Sequence, residues 1–171
     1  MPPTSEDSNQ GAAKQPAARL DRLSSEGCRV AIAAARFNDH IVGRLVEGAF
    51  AALEQTGTPR DRVTLVRVPG AFELPLVARR LAASGGYDAI IALGCVIRGE
   101  TPHFEHVSRV AADGLLRVSL DQSIPVGFGV LTTNTPEQAA ERAGGAVGNS
   151  GFDAAVAVVE MVSVLRALDA R

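Results

Sequence analysis

Residues 87–97, Tyr-Asp-Ala-Ile-Ile-Ala-Leu-Gly-Cys-Val-Ile, form an apolar run that does not alternate with polar residues. A strand with one wet face alternates, whereas a run of this kind is buried on both faces. It therefore belongs inside a sheet covered above and below, and the rest of the chain has to supply the covering layers.

The flanking segments do so in a regular order. Residues 28–38, CRVAIAAARFN, read as a buried strand with a polar exit. From His40 to about Gln55, apolar residues fall at Ile41, Val42, Leu45, Val46, Ala49 and Leu53, which is helical spacing, and Gly57 followed by Pro59 ends it. Residues 61–70 are a β-branched run closed by Pro69-Gly70. Residues 71–86 read as a helix with Pro75 in its first turn.

After the central strand, Thr101 and Pro102 suit a helix start, and Phe104, Val107, Ala111, Leu115 and Val118 form one stripe as far as Asp121. Residues 125–133 read as a fourth strand. Thr135-Pro136-Glu137-Gln138 has the pattern of a capping box, its helix stops at Gly144-Gly145, and a last helix covers about 151–168. Its inward positions are Ala155, Val158, Val159, Val162, Leu165 and Leu168. Strands alternating with helices predict a four-stranded parallel sheet in a three-layer α/β/α sandwich.

Composition narrows the function. The chain has 171 residues, room for one domain and some excess, and a net charge of −2 without a basic stripe, which argues against nucleic-acid binding. Cys28 and Cys95 lie in or beside apolar runs and read as buried thiols of a reducing compartment. Residues 1–26 hold few apolar groups and read as a disordered arm ahead of a domain over 27–171. No signal peptide and no run of membrane-spanning length is evident, so a soluble, cytoplasmic protein is expected.

In parallel sheets covered by helices, ligands bind beyond the carboxyl ends of the strands. The expected rim is therefore Arg36-Phe37-Asn38, Pro69 to Glu73, Val96 to His103, and Phe128 to Asn134. Neither a GxxxxGK[ST] loop nor a GxGxxG turn after the first strand is present, which weakens ATPase and dinucleotide readings.

Gly99-Glu100-Thr101-Pro102 opens a helix. Its free amides can hold a phosphate or carboxylate, or belong to an ordinary capped helix. His103 beside it can move protons near neutral pH or simply pack. Its spacing to His106, with Glu100 or Glu105, lacks a third zinc ligand, so no metal is expected. Glu73 can accept hydrogen bonds from ligand hydroxyls or complement a helix N-terminus. Phe37 and Phe128, read as following strands, can form an aromatic floor or pack in the core. Arg142 can fork onto a phosphate or favour a helix C-terminus.

Taken together, RFN (36–38), VPGAFELP (68–75), GCVIRGETPHFEHV (94–107) and FGVLTTNTPEQAAERAG (128–144) resemble, in this order, the 6,7-dimethyl-8-ribityllumazine synthase family over about residues 28–168. The resemblance implies a flavodoxin-like fold and a condensation of 5-amino-6-(D-ribitylamino)uracil with 3,4-dihydroxy-2-butanone 4-phosphate. The two join through a Schiff base, phosphate leaves and a second ring closes, with no cofactor or metal.

By the same resemblance, Phe37 stacks on the pyrimidine with Asn38 beside it, and Ala71 and Glu73 meet the ribityl chain. Val96 and Ile97 meet the uracil edge, Glu100 and Thr101 mark the phosphate site, and His103 transfers protons. Phe128 and Arg142 match residues that an adjacent subunit contributes, Arg142 to the phosphate. Many members read Asn-Lys-Gly, with the lysine near the ligand, where this chain has Asn149-Ser150-Gly151. That change keeps open a non-catalytic flavin or lumazine binder on the same scaffold.

The implied partners are small-molecule substrates, other copies of the chain assembled as pentamers, and riboflavin synthase, with no nucleic acid or membrane. The short linker over 141–151 resembles that of shell-forming members, in favour of a sixty-subunit icosahedral shell over a free pentamer or a decamer.

Overall fold

The computed structural model describes residues 23–171. The elements run β1 (Val30–Ala35), α1 (Asp39–Thr56), β2 (Thr64–Val68), α2 (Leu74–Ala83), β3 (Ala89–Ile97), α3 (His103–Gln122), β4 (Val126–Thr133), α4 (Pro136–Arg142), β5 (Ala143–Gly145), β6 (Gly148–Asn149) and α5 (Ser150–Asp169). β1 to β4 form one parallel sheet in the order β2-β1-β3-β4. With helices on both faces this is a flavodoxin-like α/β/α sandwich.

The pleat explains why β3 does not alternate. Ala89, Ile91, Leu93 and Cys95 point into the layer of α1 and α5, while Ile90 and Ala92 point into the layer of α2 and α3. The same division puts Ile32 and Ala34 of β1 on one side and Ala33 on the other. Leu45 and Leu53 of α1 are fully buried, and burial of each stabilises the fold by roughly 1.5–3 kcal/mol. Leu53→Ala would open a cavity at a cost of about 2–5 kcal/mol.

α1 and α5 cross closely because two glycines allow it. A Cβ on Gly151 would lie 2.0 Å from the Leu45 carbonyl oxygen, and one on Gly48 would lie 2.2 Å from the Asn149 side chain. Asn149 caps α5 by accepting from the amides of Gly151 and Phe152, and donates to the Arg44 carbonyl at 2.9 Å. Ser150 is thus the first residue of α5.

Several boundaries differ from expectation. The second strand is shorter than 61–70, because Arg60–Arg62 form a 3-10 turn after Pro59. The second helix expected, over 71–86, begins as a 3-10 turn, Ala71–Glu73, before α2. Residues 143–149, expected to be a linker, fold as the small hairpin of β5 and β6. The Gln138 side chain does not complete a capping box: Thr135 accepts from the Gln138 amide, but the Gln138 carbonyl oxygen accepts from Asn134 N–H. Leu165 is half-buried and Leu168 exposed, since the packed stretch of α5 ends at Val162.

The arm expected over 1–26 lies outside the described residues as far as 22. Its last residues, 23–26, are part of the packed fold and not of an arm: Leu23 touches the core and Ser25 is completely buried. The Ser25 amide donates to Thr56 O at 2.7 Å, and the Thr58 hydroxyl donates to Ser25 O at 2.7 Å.

Candidate active site

The chain leaves β1 through Arg36, Phe37 and Asn38 and turns at once into α1. Asn38 makes the reversal in the left-handed region (φ 58°, ψ 43°), a conformation that asparagine tolerates better than most side chains. Its amide nitrogen donates to the Cys95 carbonyl at 3.0 Å. The Phe37 amide donates to Pro69 O at 3.0 Å, and Arg67 of β2 reaches Ala35 O and pairs with Asp39. The Phe37 backbone is therefore fastened to β2, and the residue after it to β3, while the ring itself is 70% exposed.

Beyond β2, Gly70 and Ala71 bend the chain into the 3-10 turn. Glu73 reaches back to accept from the Gly70 amide at 2.9 Å, which closes the turn and orients its carboxylate. Beyond β3, residues 98–102 lead into α3. Pro102 is the N-cap residue and no side chain caps the helix. Thr101, expected as the cap, stands one residue earlier, because Pro102 already has near-helical angles (φ −63°, ψ 0°). The start of α3 thus retains backbone donors and the positive end of its dipole without a side chain of its own to occupy them.

These three exits enclose one cleft of about 700 Å³. Phe37, Ala71 and Glu73 line it from the β1 and β2 side, and Val96, Ile97, Thr101 and His103 from the β3 side. Asn38 and Glu100 are adjacent in sequence to lining residues but do not line it themselves. Asn38 serves the turn, and Glu100 is exposed.

The fourth cluster does not join them. Phe128 does not follow a strand: it lies within β4, opposite Ala92, because β4 begins at Val126 directly after Pro125. It is 47% exposed, since β4 is an edge strand. Arg142 ends α4, is exposed, and donates to Gln138 O at 3.1 Å.

Gly70 and Phe72 (59% exposed), both within the expected stretch from Pro69 to Glu73, line the cleft as well. The sequence reading missed Phe104, assigned to a buried stripe: it is only half-buried and lines the cleft too. Arg98 lies with its guanidinium carbon 4.4 Å above the Phe104 ring. Its place between an apolar strand end and a glycine was the available signal. At the cleft floor, burial pushes the Cys95 thiol up to about 11, so it is neutral at physiological pH. Among the described residues no three His, Cys, Asp or Glu side chains converge to hold a metal, and no helix is long and apolar enough to cross a membrane.

A covered parallel sheet with a cleft just past its strand ends places the chain among the α/β proteins that take small molecules in such a crevice. Comparison with known proteins makes this specific. A family model described as 6,7-dimethyl-8-ribityllumazine synthase matches residues 27–166, and the chain belongs to that family. Proteins of that name from Nitratidesulfovibrio vulgaris (strain DP4) and Syntrophus aciditrophicus (strain SB) are 54% and 53% identical, covering 86% and 85% of this chain and 94% of each relative. A third, from Chlorobium phaeobacteroides (strain DSM 266 / SMG 266 / 2430), is 54% identical over 84% of this chain and 93% of its own.

Proposed function

We propose that the protein is a 6,7-dimethyl-8-ribityllumazine synthase, condensing 5-amino-6-(D-ribitylamino)uracil with 3,4-dihydroxy-2-butanone 4-phosphate. The observation that carries this reading is that one cleft joins an exposed ring, a carboxylate and a histidine beside a helix start without a side-chain cap. Phe37 stacks on the pyrimidine, and Ala71 and Glu73 hold the ribityl chain. The α3 N-terminus with Thr101 takes the phosphate. The amine attacks the ketone with loss of water, phosphate departs, and attack on the second carbonyl closes the ring with loss of another water. His103 passes protons among these steps.

Holding both substrates in register supplies the larger part of the acceleration, because such positioning can be worth about 7–11 kcal/mol. Incubation of the protein with both substrates should release inorganic phosphate and give the absorbance and fluorescence of the lumazine. A folded protein that binds either substrate and yields no product would overturn the enzyme reading in favour of a binder.

The second element of the proposal is assembly as pentamers in which a neighbour completes each cleft with Phe128 and Arg142. Two features support it. Both residues lie away from the cleft of their own chain, and Leu76, Leu116, Leu120 and Phe128 leave large apolar groups exposed. Arg142 suits a phosphate because its planar fork matches two oxygens. Mixed assemblies of His103→Ala/Glu73→Ala with Arg142→Ala chains should regain activity above either parent. No gain in mixed rings would sink the shared site. A cytoplasmic location accords with the two buried free thiols.

A further inference from the structure

Residues 99–101 are exposed, and among the described residues neither the Glu100 nor the Thr101 side chain makes a hydrogen bond. Something else has to hold this stretch in place if it is to present amides to an anion. The preceding residue does so. Arg98 N–H donates to Thr133 O at 2.8 Å, and its Nε donates to Asn134 Oδ1 at 2.9 Å. The guanidinium also pairs with Glu105 and covers the face of Phe104. Glu105 and Phe104 belong to the first turn of α3, directly after His103, whereas Thr133 ends β4 and Asn134 follows it.

We infer that Arg98 is a positioning residue, which sets the start of α3 for anion binding by clamping that turn to the end of β4. This rests on the reading that the start of α3 takes the substrate phosphate. Arg98 acts through the loop and not on the ligand, because it does not line the cleft and its Nε and Nη1 donate to Asn134 and Glu105. The hydrogen bond from Arg98 also holds the Glu105 carboxyl below the usual carboxylate range, as expected of a formed pair. Only a planar group can donate along two edges while its face lies on a ring. A lysine should therefore fail in its place.

The test uses the full chain, with inorganic phosphate as binding probe and the KM of each substrate. Arg98→Met and Arg98→Lys should each weaken phosphate binding and raise the KM of the phosphate substrate about tenfold, as a loss near 1.4 kcal/mol does. The KM of the uracil substrate should stay within about twofold, because that end of the cleft is fastened separately through Asn38.

Glu105→Gln is the discriminating variant. It removes a negative charge near an anion site, so simple electrostatics demands tighter phosphate binding. The clamp demands weaker binding, by roughly threefold for a bond of this kind. Tighter or unchanged binding in Glu105→Gln overturns the inference, as does full rescue by Arg98→Lys. Should the Arg98 variants fail to fold, Glu105→Gln and Asn134→Ala decide it by the same measurements. A chain that binds phosphate less well as Arg98→Met, yet never turns over the two substrates, keeps the clamp and loses the substrate reading. Normal turnover with unmoved phosphate affinity does the reverse.

Discussion

The Asn38 side-chain amide donates to the Cys95 carbonyl oxygen at 3.0 Å, linking the turn after β1 to the end of β3. The two strands are neighbours in the sheet, but these residues are far apart in sequence. The bond holds a left-handed residue at the start of α1 and, with it, the exposed ring of Phe37 next door.

Two variants separate those duties. Asn38→Gly keeps access to the left-handed conformation and loses the hydrogen bond, at a cost of about 1 kcal/mol. Asn38→Ala loses both, adding roughly 1 kcal/mol for the conformation. Urea unfolding should rank wild type, then Gly, then Ala, and both variants should raise the KM of the uracil substrate. Equal stability of the two variants would show that the turn stores no strain.

His103→Ala should slow turnover without abolishing it. A positioned acid or base contributes roughly 10²–10⁴-fold, whereas register between two substrates supplies more. Single-turnover rates should fall toward the lower end of that range. Thr101→Glu, which sets a carboxylate beside the phosphate, should be worse through raised KM. The opposite ranking would mean that proton transfer outweighs positioning.

Ser25 ties the chain before β1 to the end of α1. Its hydroxyl lies 2.9 Å from the Thr56 hydroxyl and 2.8 Å from the Thr58 hydroxyl. Ser25→Ala removes these side-chain bonds but leaves Thr56 donating to Ala52 O and Thr58 to the backbone oxygen of residue 25, so it should cost about 0.5–1.5 kcal/mol. At roughly 2–4 °C per kcal/mol for a domain of this size, calorimetry can resolve the loss. A chain begun at Gly27 should be less stable than one begun at Leu23, and equal melting temperatures would count against the network.

The Cys95 thiol gives an alkaline dependence. Burial raises its folded-state pKa to about 11, above that of an unfolded cysteine near 8.5. Stability from keeping it neutral is fully present below about pH 8.5 and is lost progressively as pH rises toward 11. Cys95→Ala should flatten that limb of the stability–pH curve. In the native protein Cys95 should resist alkylation at pH 8 and react once urea unfolds the chain. Rapid native labelling, followed by peptide mapping, would contradict its burial.

Much of the sheet and one rim of the site were legible in the sequence for local reasons. The unbroken run at β3 demands two covered faces whatever its neighbours are. The stripe from Ile41 to Leu53 demands a helix because its period is set within a few turns. The exits of β1, β2 and β3 could be named because a parallel sheet puts all its carboxyl ends on one side. Thus Phe37, Glu73 and His103 come together around one cleft, as the strand ends required.

What the tertiary structure alone decided depends on pairs remote in sequence. Nothing near Ser25 announces that Thr56 and Thr58 will satisfy its hydroxyl, and nothing near Arg98 names Asn134 as its partner. The Phe128 ring lies within the expected strand, but only the sheet order puts that strand at an edge and leaves the ring half-exposed away from the cleft. The order of local residues determines which segments extend, coil and bury a face. Which polar groups meet, and which rings remain exposed, is decided only when those segments dock, because each hydrogen bond needs its two atoms at one distance and angle that no single segment contains.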